Sequence, residues 1–191
     1  MLNYPLKMSF KILAINPQVK VTDAAGQTVL YVREKAFTLK TDIKIYADDA
    51  QTRQLYHVKA DKILAINVPF SITTPEGKLV GKVVRPGMRS LWKATYQIFD
   101  QNDVEVAVVH EENPWIKVAD SLLSDIPLVH MLLNPAYLVD HNGQTVLYLK
   151  KQPSLIDRQF LLEKRVDLSE ANEKLLVPAA MLAMMLERTR G

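Results

Sequence analysis

The sequence contains no cysteine, which excludes disulfides, thiolate metal sites, iron–sulfur clusters and cysteine nucleophiles and leaves nothing in the fold dependent on the redox compartment. It also lacks a Gly-x-Ser-x-Gly elbow, a glycine-rich phosphate loop and a dinucleotide fingerprint. The four histidines, His57, His110, His130 and His141, are scattered without metal-ligand spacing. No catalytic residue, resident metal or cofactor is therefore expected. Neither sign of charge dominates: 24 Lys and Arg against 21 Asp and Glu leave a formal charge of +3. That excess is too small to argue for nucleic acid, although a basic lean favours phosphate or an anionic membrane surface. The N-terminal stretch Met1 to Phe10 lacks the apolar run and small-residue cleavage site of a secretory signal and reads as mature chain.

What is present is a globular mixture, 191 residues of which 48% are hydrophobic and 24% charged, enough for one domain spanning 1–191 with a packed core. Polar turns separate β-rich runs at Asp23–Gly26, Asp48–Gln51, Thr74–Gly77, Asp100–Asp103 and Asp140–Gly143. Between them apolar residues alternate, as in Ile43/Ile45, Tyr96/Ile98, Val104/Val106/Val108 and Phe160/Leu162, the period of a half-buried strand. Serial hairpins making about twelve strands are expected. The hexapeptide Gly26-Gln27-Thr28-Val29-Leu30-Tyr31 recurs as Gly143 to Tyr148, each copy following an Asn-Pro. Either equivalent places in a pseudo-symmetric barrel or two convergent hairpins explain it.

Two segments break the β pattern. Trp115 to Leu133, with Pro127 inside, predicts a short broken helix and a loop across one barrel end. Near the C-terminus, Ser169, Glu170 and Glu173 mark a helix start, and Leu175 to Leu186 then carries no charge on any face. A helix apolar all round must be enclosed, yet one of that length falls short of the roughly 20 residues that span a bilayer. The strands should therefore close around it, with the helix covering about 170–188. Pro178 is expected in its first turn or at a kink.

With these hairpins, Trp92 ahead of Thr95-Tyr96-Gln97-Ile98-Phe99-Asp100, and the terminal Leu-Leu-Val-Pro-Ala-Ala-Met-Leu-Ala run, the chain resembles the tubby C-terminal-like superfamily, nearest its LURP-one-related and phospholipid-scramblase-like branch. The resemblance implies a twelve-stranded barrel around a central C-terminal helix. It further implies contact with phosphoinositide head groups, as in tubby proteins, or membrane and calcium association, as in scramblases. The chain departs from scramblases in lacking a cysteine-rich palmitoylated segment and a proline-rich N-terminal region.

Candidate sites follow from charge. Lys78, Lys82, Arg85, Arg89 and Lys93 form the densest run of one sign around Pro86-Gly87. As a hairpin they would either converge on a phosphate-bearing head group or keep an edge soluble; Lys82, Arg85, Arg89 and Lys93 are the binding residues expected on the first reading. Asp100, Asn102, Asp103 and Glu105 offer oxygen ligands for calcium but lack the EF-hand pattern, and a turn explains them better. His110 beside Glu111 and Glu112 has the composition of an acid–base group or of a strand end, and His141 in its turn is expected in solvent. Met181, Met184 and Met185 read as helix core, and the aromatics as barrel packing rather than base stacking. The expected function is a non-catalytic binding module contacting anionic phospholipid or a protein partner, cytoplasmic or peripheral to a membrane; an enzyme with a pocket at a barrel end is the alternative.

Overall fold

The computed structural model describes residues 1–11, 18–33, 41–60, 67–87, 94–112, 136–154 and 157–188. They form twelve strands, β1 (Leu6–Lys11), β2 (Gln18–Thr22), β3 (Thr28–Arg33), β4 (Thr41–Tyr46), β5 (Gln54–Ala60), β6 (Pro69–Thr73), β7 (Leu79–Val84), β8 (Thr95–Asp100), β9 (Glu105–Glu111), β10 (Ala136–His141), β11 (Gln144–Gln152) and β12 (Arg158–Lys164), followed by helix α1 (Glu170–Arg188). Each strand pairs antiparallel with its neighbours in the chain, and β12 returns to pair with β1, so the barrel closes and no sheet edge remains. Trp115 to Leu133 lies outside the described residues.

All five expected turns are present, and because the strands alternate in direction they gather at one end of the barrel, the turn end. Their chemistry is shared. The Asp23 carboxylate accepts the N–H groups of Ala25 and Gln27, Asp48 accepts those of Thr52 and Arg53, and Asp100 accepts those of Asn102 and Val104. The fourth residue takes a left-handed backbone in every case: Gly26, Gln51, Gly77, Asp103 and Gly143 have φ between 59° and 87°, which is why glycine occupies three of these positions. Each hairpin then slips register by one residue, leaving Val29, Leu55, Val80, Val106 and Val146 as the extra residue of a bulge. The repeated hexapeptide therefore occupies equivalent hairpin positions, on β3 and β11, a third of the way round the ring.

The bulge corrects one reading of the pattern. Val104 is exposed and Val108 lies on the outer wall, whereas Ala107, Val109 and Glu111 face inward and Val106, the extra residue of the bulge, is half-buried against the core. Elsewhere the alternation points as expected, with Tyr96, Ile98, Phe160 and Leu162 buried.

Helix α1 fills the barrel. Every residue from Leu175 to Met185 is buried, and three consecutive turns buried on all faces require protein on every side. The helix lies off centre. Its backbone approaches β7, β8 and β9 most closely, where small Gly81 and Ala107 face inward, while Leu6, Met8, Phe10, Leu147, Leu149, Phe160 and Leu162 fill the wider gap opposite. Met181, Met184 and Met185 are core residues as expected. Pro178 falls at the ninth position of α1, not in its first turn, and is buried within it. No helix among the described residues is long and apolar enough to cross a membrane.

The start of α1 is tied to the turn end. Ser169 Oγ accepts the Asn172 N–H at 3.2 Å, an N-cap that satisfies one of the free donors of the first turn. Buried Glu173 accepts the Leu2 N–H at 3.0 Å and has Lys164 Nζ 3.8 Å away. Lys164 also lies over the Tyr4 ring, 5.3 Å from its centroid. Burial, reinforced by the Glu173 carboxylate, holds the Tyr4 hydroxyl well above the usual phenol range. The N-terminal segment is thereby lashed across the barrel where the helix enters.

Candidate functional site

The basic run does not form a tight hairpin. Its first strand, β7, ends at Val84 and β8 begins only at Thr95; Arg89 and Lys93 lie outside the described residues. Lys82 projects outward between inward-facing Gly81 and Val83, and its ammonium pairs with Asp103 at 2.8 Å. Arg85 follows the strand at the opposite end from Lys78, which sits in the β6–β7 turn. Seven residues of extended chain separate those two charges by about 23 Å. Lys78 and Arg85 thus serve different ends of the barrel.

Two of the described histidines, His110 and His141, are structural. His110 and Glu111 are adjacent on a strand, so they face opposite sides: His110 lies outside with Nε2 2.8 Å from Asp140 Oδ2, while Glu111 is fully buried inside. Thr145 Oγ1 donates to the other Asp140 oxygen at 2.6 Å. His141, expected in solvent, is half-buried and three times bonded. Its Nδ1–H donates to the Val106 carbonyl at 2.7 Å, and Nε2 accepts the side-chain amides of Asn142 and Asn172, each at 3.2 Å. That pattern joins the β10–β11 turn to the helix start. Asp100 and Asn102 make a turn, as expected, and no cluster of three or more metal-ligating side chains occurs among the described residues.

Opposite the turn end, at what we call the far end, a cleft of about 80 Å³ opens beside the last turns of α1, lined by Phe10, Tyr137, Lys151, Arg158, Phe160, Met184 and Glu187. Phe160 stands edge-on between the other two rings, its centroid 5.8 Å from Phe10 and 6.1 Å from Tyr137. Glu187 accepts the Tyr96 hydroxyl at 2.9 Å. Inward parity explains the two cations: Lys151 continues Leu147 and Leu149 on β11, and Arg158 precedes Phe160 and Leu162 on β12. Neither lies in the densest run of charge along the chain. The available signal was a cation where the strand alternation calls for an apolar residue.

The far end also gathers cations on its rim. Lys11, Arg33, Lys59, Lys150 and Arg158 are exposed at strand ends there, with half-buried Arg85 following β7. The turn end carries Asp23, Asp48, Asp49, Glu76, Asp100, Asp103, Glu105, Glu163, Asp167 and Glu170 against Lys7, Arg53, Lys78, Lys164, Arg165 and Lys174. The chain matches no known protein-family model, no characterised protein and no solved structure.

Proposed function

We propose that the protein is a non-catalytic binding module, of the tubby C-terminal-like kind, that docks far end first on membranes containing anionic phospholipid. The observation that carries the proposal is the separation of charge along the barrel axis, with cations at the ends of strands β1, β3, β5, β11 and β12 and carboxylates in the turns opposite. Three far-end carboxylates are engaged within the barrel: Asp42 bonds His57, Glu112 accepts the Tyr148 hydroxyl and Glu187 accepts that of Tyr96. An anionic surface attracts one end and repels the other, so charge selects an orientation as well as an affinity. The architecture supports the tubby-like assignment, since a twelve-stranded barrel enclosing a C-terminal helix is what that resemblance implies.

Sedimentation with phosphatidylcholine vesicles, with and without phosphatidylglycerol, tests the proposal. Binding should require phosphatidylglycerol and weaken as salt rises. Lys11→Gln, Arg33→Gln and Lys59→Gln should each weaken it about fivefold, at about 1 kcal/mol per cation near the surface. Arg53→Gln and Lys78→Gln, at the other end, should leave it unchanged. Binding that ignores lipid charge, or that responds equally at both ends, overturns the docking.

A further inference from the structure

The two-residue turn between β10 and β11 carries a chemistry of its own, and we propose that Asn142-Gly143 is a site of spontaneous covalent modification. Asn142 is converted there to aspartate and isoaspartate, and the conversion loosens the link between this turn and the start of α1. The inference goes beyond membrane docking and does not depend on it.

Sequence and structure together single out this asparagine. Of eight asparagines, Asn142 alone precedes glycine. Asn16, Asn113 and Asn134 precede proline, which has no N–H to serve as a nucleophile. Asn3, Asn67, Asn102 and Asn172 precede Tyr4, Val68, Asp103 and Glu173, whose side chains crowd the backbone nitrogen. In α1 the Glu173 N–H is further tied to the Ser169 carbonyl. At the β10–β11 turn both central residues are exposed and left-handed, with φ 52° at Asn142 and 77° at Gly143, the geometry that favours Asn-Gly in a tight hairpin. Gly26 and Gly77 spend their N–H groups on the carbonyls of Asp23 and Thr74, whereas the Gly143 N–H has no such partner among the described residues. It is open to solvent base. The Asn142 amide is held by one contact, Nδ2 to His141 Nε2 at 3.2 Å, so local opening of an exposed loop tip suffices to bring the reacting atoms together.

The step balances with water alone. The deprotonated Gly143 nitrogen attacks Asn142 Cγ, the Cγ–Nδ2 bond breaks and ammonia leaves, closing a cyclic imide. Water then opens the ring at either carbonyl. Attack at Cγ yields aspartate; attack at the backbone carbonyl yields isoaspartate, whose main chain runs through Cγ and is one methylene longer. Neither direction changes an oxidation state. A longer main chain cannot keep a two-residue turn in the register His141↔Gln144. His141 is the residue that reaches Asn172 on α1, at 3.2 Å, so distortion here is felt at the helix start.

The test is to incubate the full chain in mildly alkaline buffer at body temperature and to map peptides by mass at intervals, beside the same chain unfolded in urea. The peptide holding Asn142 should gain the mass difference between an amide and a carboxylate, as two products of equal mass that separate by chromatography. The other asparagines should stay unchanged in the folded chain. Incubation in water enriched in oxygen-18 should place the heavy isotope in both products. Anion exchange then isolates the modified protein, and its isoaspartate form should unfold at a lower midpoint. Amide exchange in the first turn of α1 should be about fivefold faster there, the loss of one net hydrogen bond, with the centre of the helix still protected. No gain at Asn142 in the folded chain, over a time that converts it in urea, overturns the site. Equal gain at the other asparagines overturns its selectivity, and a single product overturns the imide. An isoaspartate form with wild-type midpoint and exchange overturns the link to α1.

Discussion

Replacing Gly81 by alanine tests how tightly the barrel closes on its helix. Gly81 faces inward on β7, and its φ is not in the left-handed region, so glycine is required by space and not by backbone conformation. A Cβ there would stand 2.4 Å from the Phe99 carbonyl oxygen and 2.5 Å from Leu175 Cδ1. The leucine tip can rotate away. The carbonyl cannot, because it belongs to β8, which is laddered to β7 through Gly81↔Asp100 and Lys82↔Phe99. Overpacking costs about 1–3 kcal/mol, and a rigid backbone obstacle sets this case near the upper end, about 3 kcal/mol, less the ~0.4–1 kcal/mol that a Gly→Ala change returns through the unfolded state. A net loss of about 2 kcal/mol is expected in equilibrium urea unfolding. Leu175→Ala should recover part of it, so that the double variant is more stable than the sum of the single effects predicts. A Gly81→Ala protein within about 0.5 kcal/mol of wild type, inside the range of an ordinary surface change, would refute the close approach of the β8 backbone and the helix to Gly81.

Three further outcomes are expected. Leu182→Asp should prevent folding, since Leu182 is 1% exposed inside the barrel and an unpaired carboxylate there has no water or partner; a cooperative unfolding transition in that variant would contradict the enclosed helix. Asp48 and Asp100 are held below the usual carboxylate range, chiefly by backbone N–H groups of Thr52 and Val104 respectively. With the folded values lower than the unfolded ones, their contribution is complete above about pH 4 and is lost as pH falls through the folded values. Asp48→Asn with Asp100→Asn should therefore flatten the acid limb of stability measured by unfolding from neutral pH downward, and an unchanged limb would refute the assignment. His141→Ala should cost about 1–3 kcal/mol by releasing the Val106 carbonyl and two amides, and should speed amide exchange in the first turn of α1 while leaving its centre protected.

The helix was the most legible element, because Leu175 to Leu186 has no polar face for any surface to use. The turns were legible for a related reason: Asp23, Asp48 and Asp100 advertise a side-chain acceptor, and Gly26, Gly77 and Gly143 a left-handed residue. A deeper regularity lies in the spacing of the turns. The first four turns open at Asp23, Asp48, Thr74 and Asp100, 25 or 26 residues apart, and Lys-Ile-Leu-Ala-Ile-Asn occurs at both 11–16 and 62–67. That spacing is one hairpin per repeat. The inner face was harder to read, since a one-residue bulge breaks the alternation of inward residues, as the consecutive Val106 and Ala107, both packed on the core, illustrate. The cleft was least legible. It joins β1, β10, β11 and β12 to the end of α1, and nothing local announces that β12 closes on β1. Density of charge along the chain instead drew attention to Lys82 and Lys78, one paired with Asp103 and the other at the turn end.

The absence of native cysteine allows one label per molecule at a chosen position, and this gives the most direct measurement of which end meets a membrane. A fluorophore on Lys59→Cys reports the far end and one on Glu76→Cys the turn end; both native residues are exposed. With phosphatidylglycerol vesicles carrying a headgroup-level quencher, the label at 59 should be quenched on binding and released by salt, while the label at 76 stays bright. Equal quenching at both positions, or quenching at 76 alone, would contradict the oriented docking.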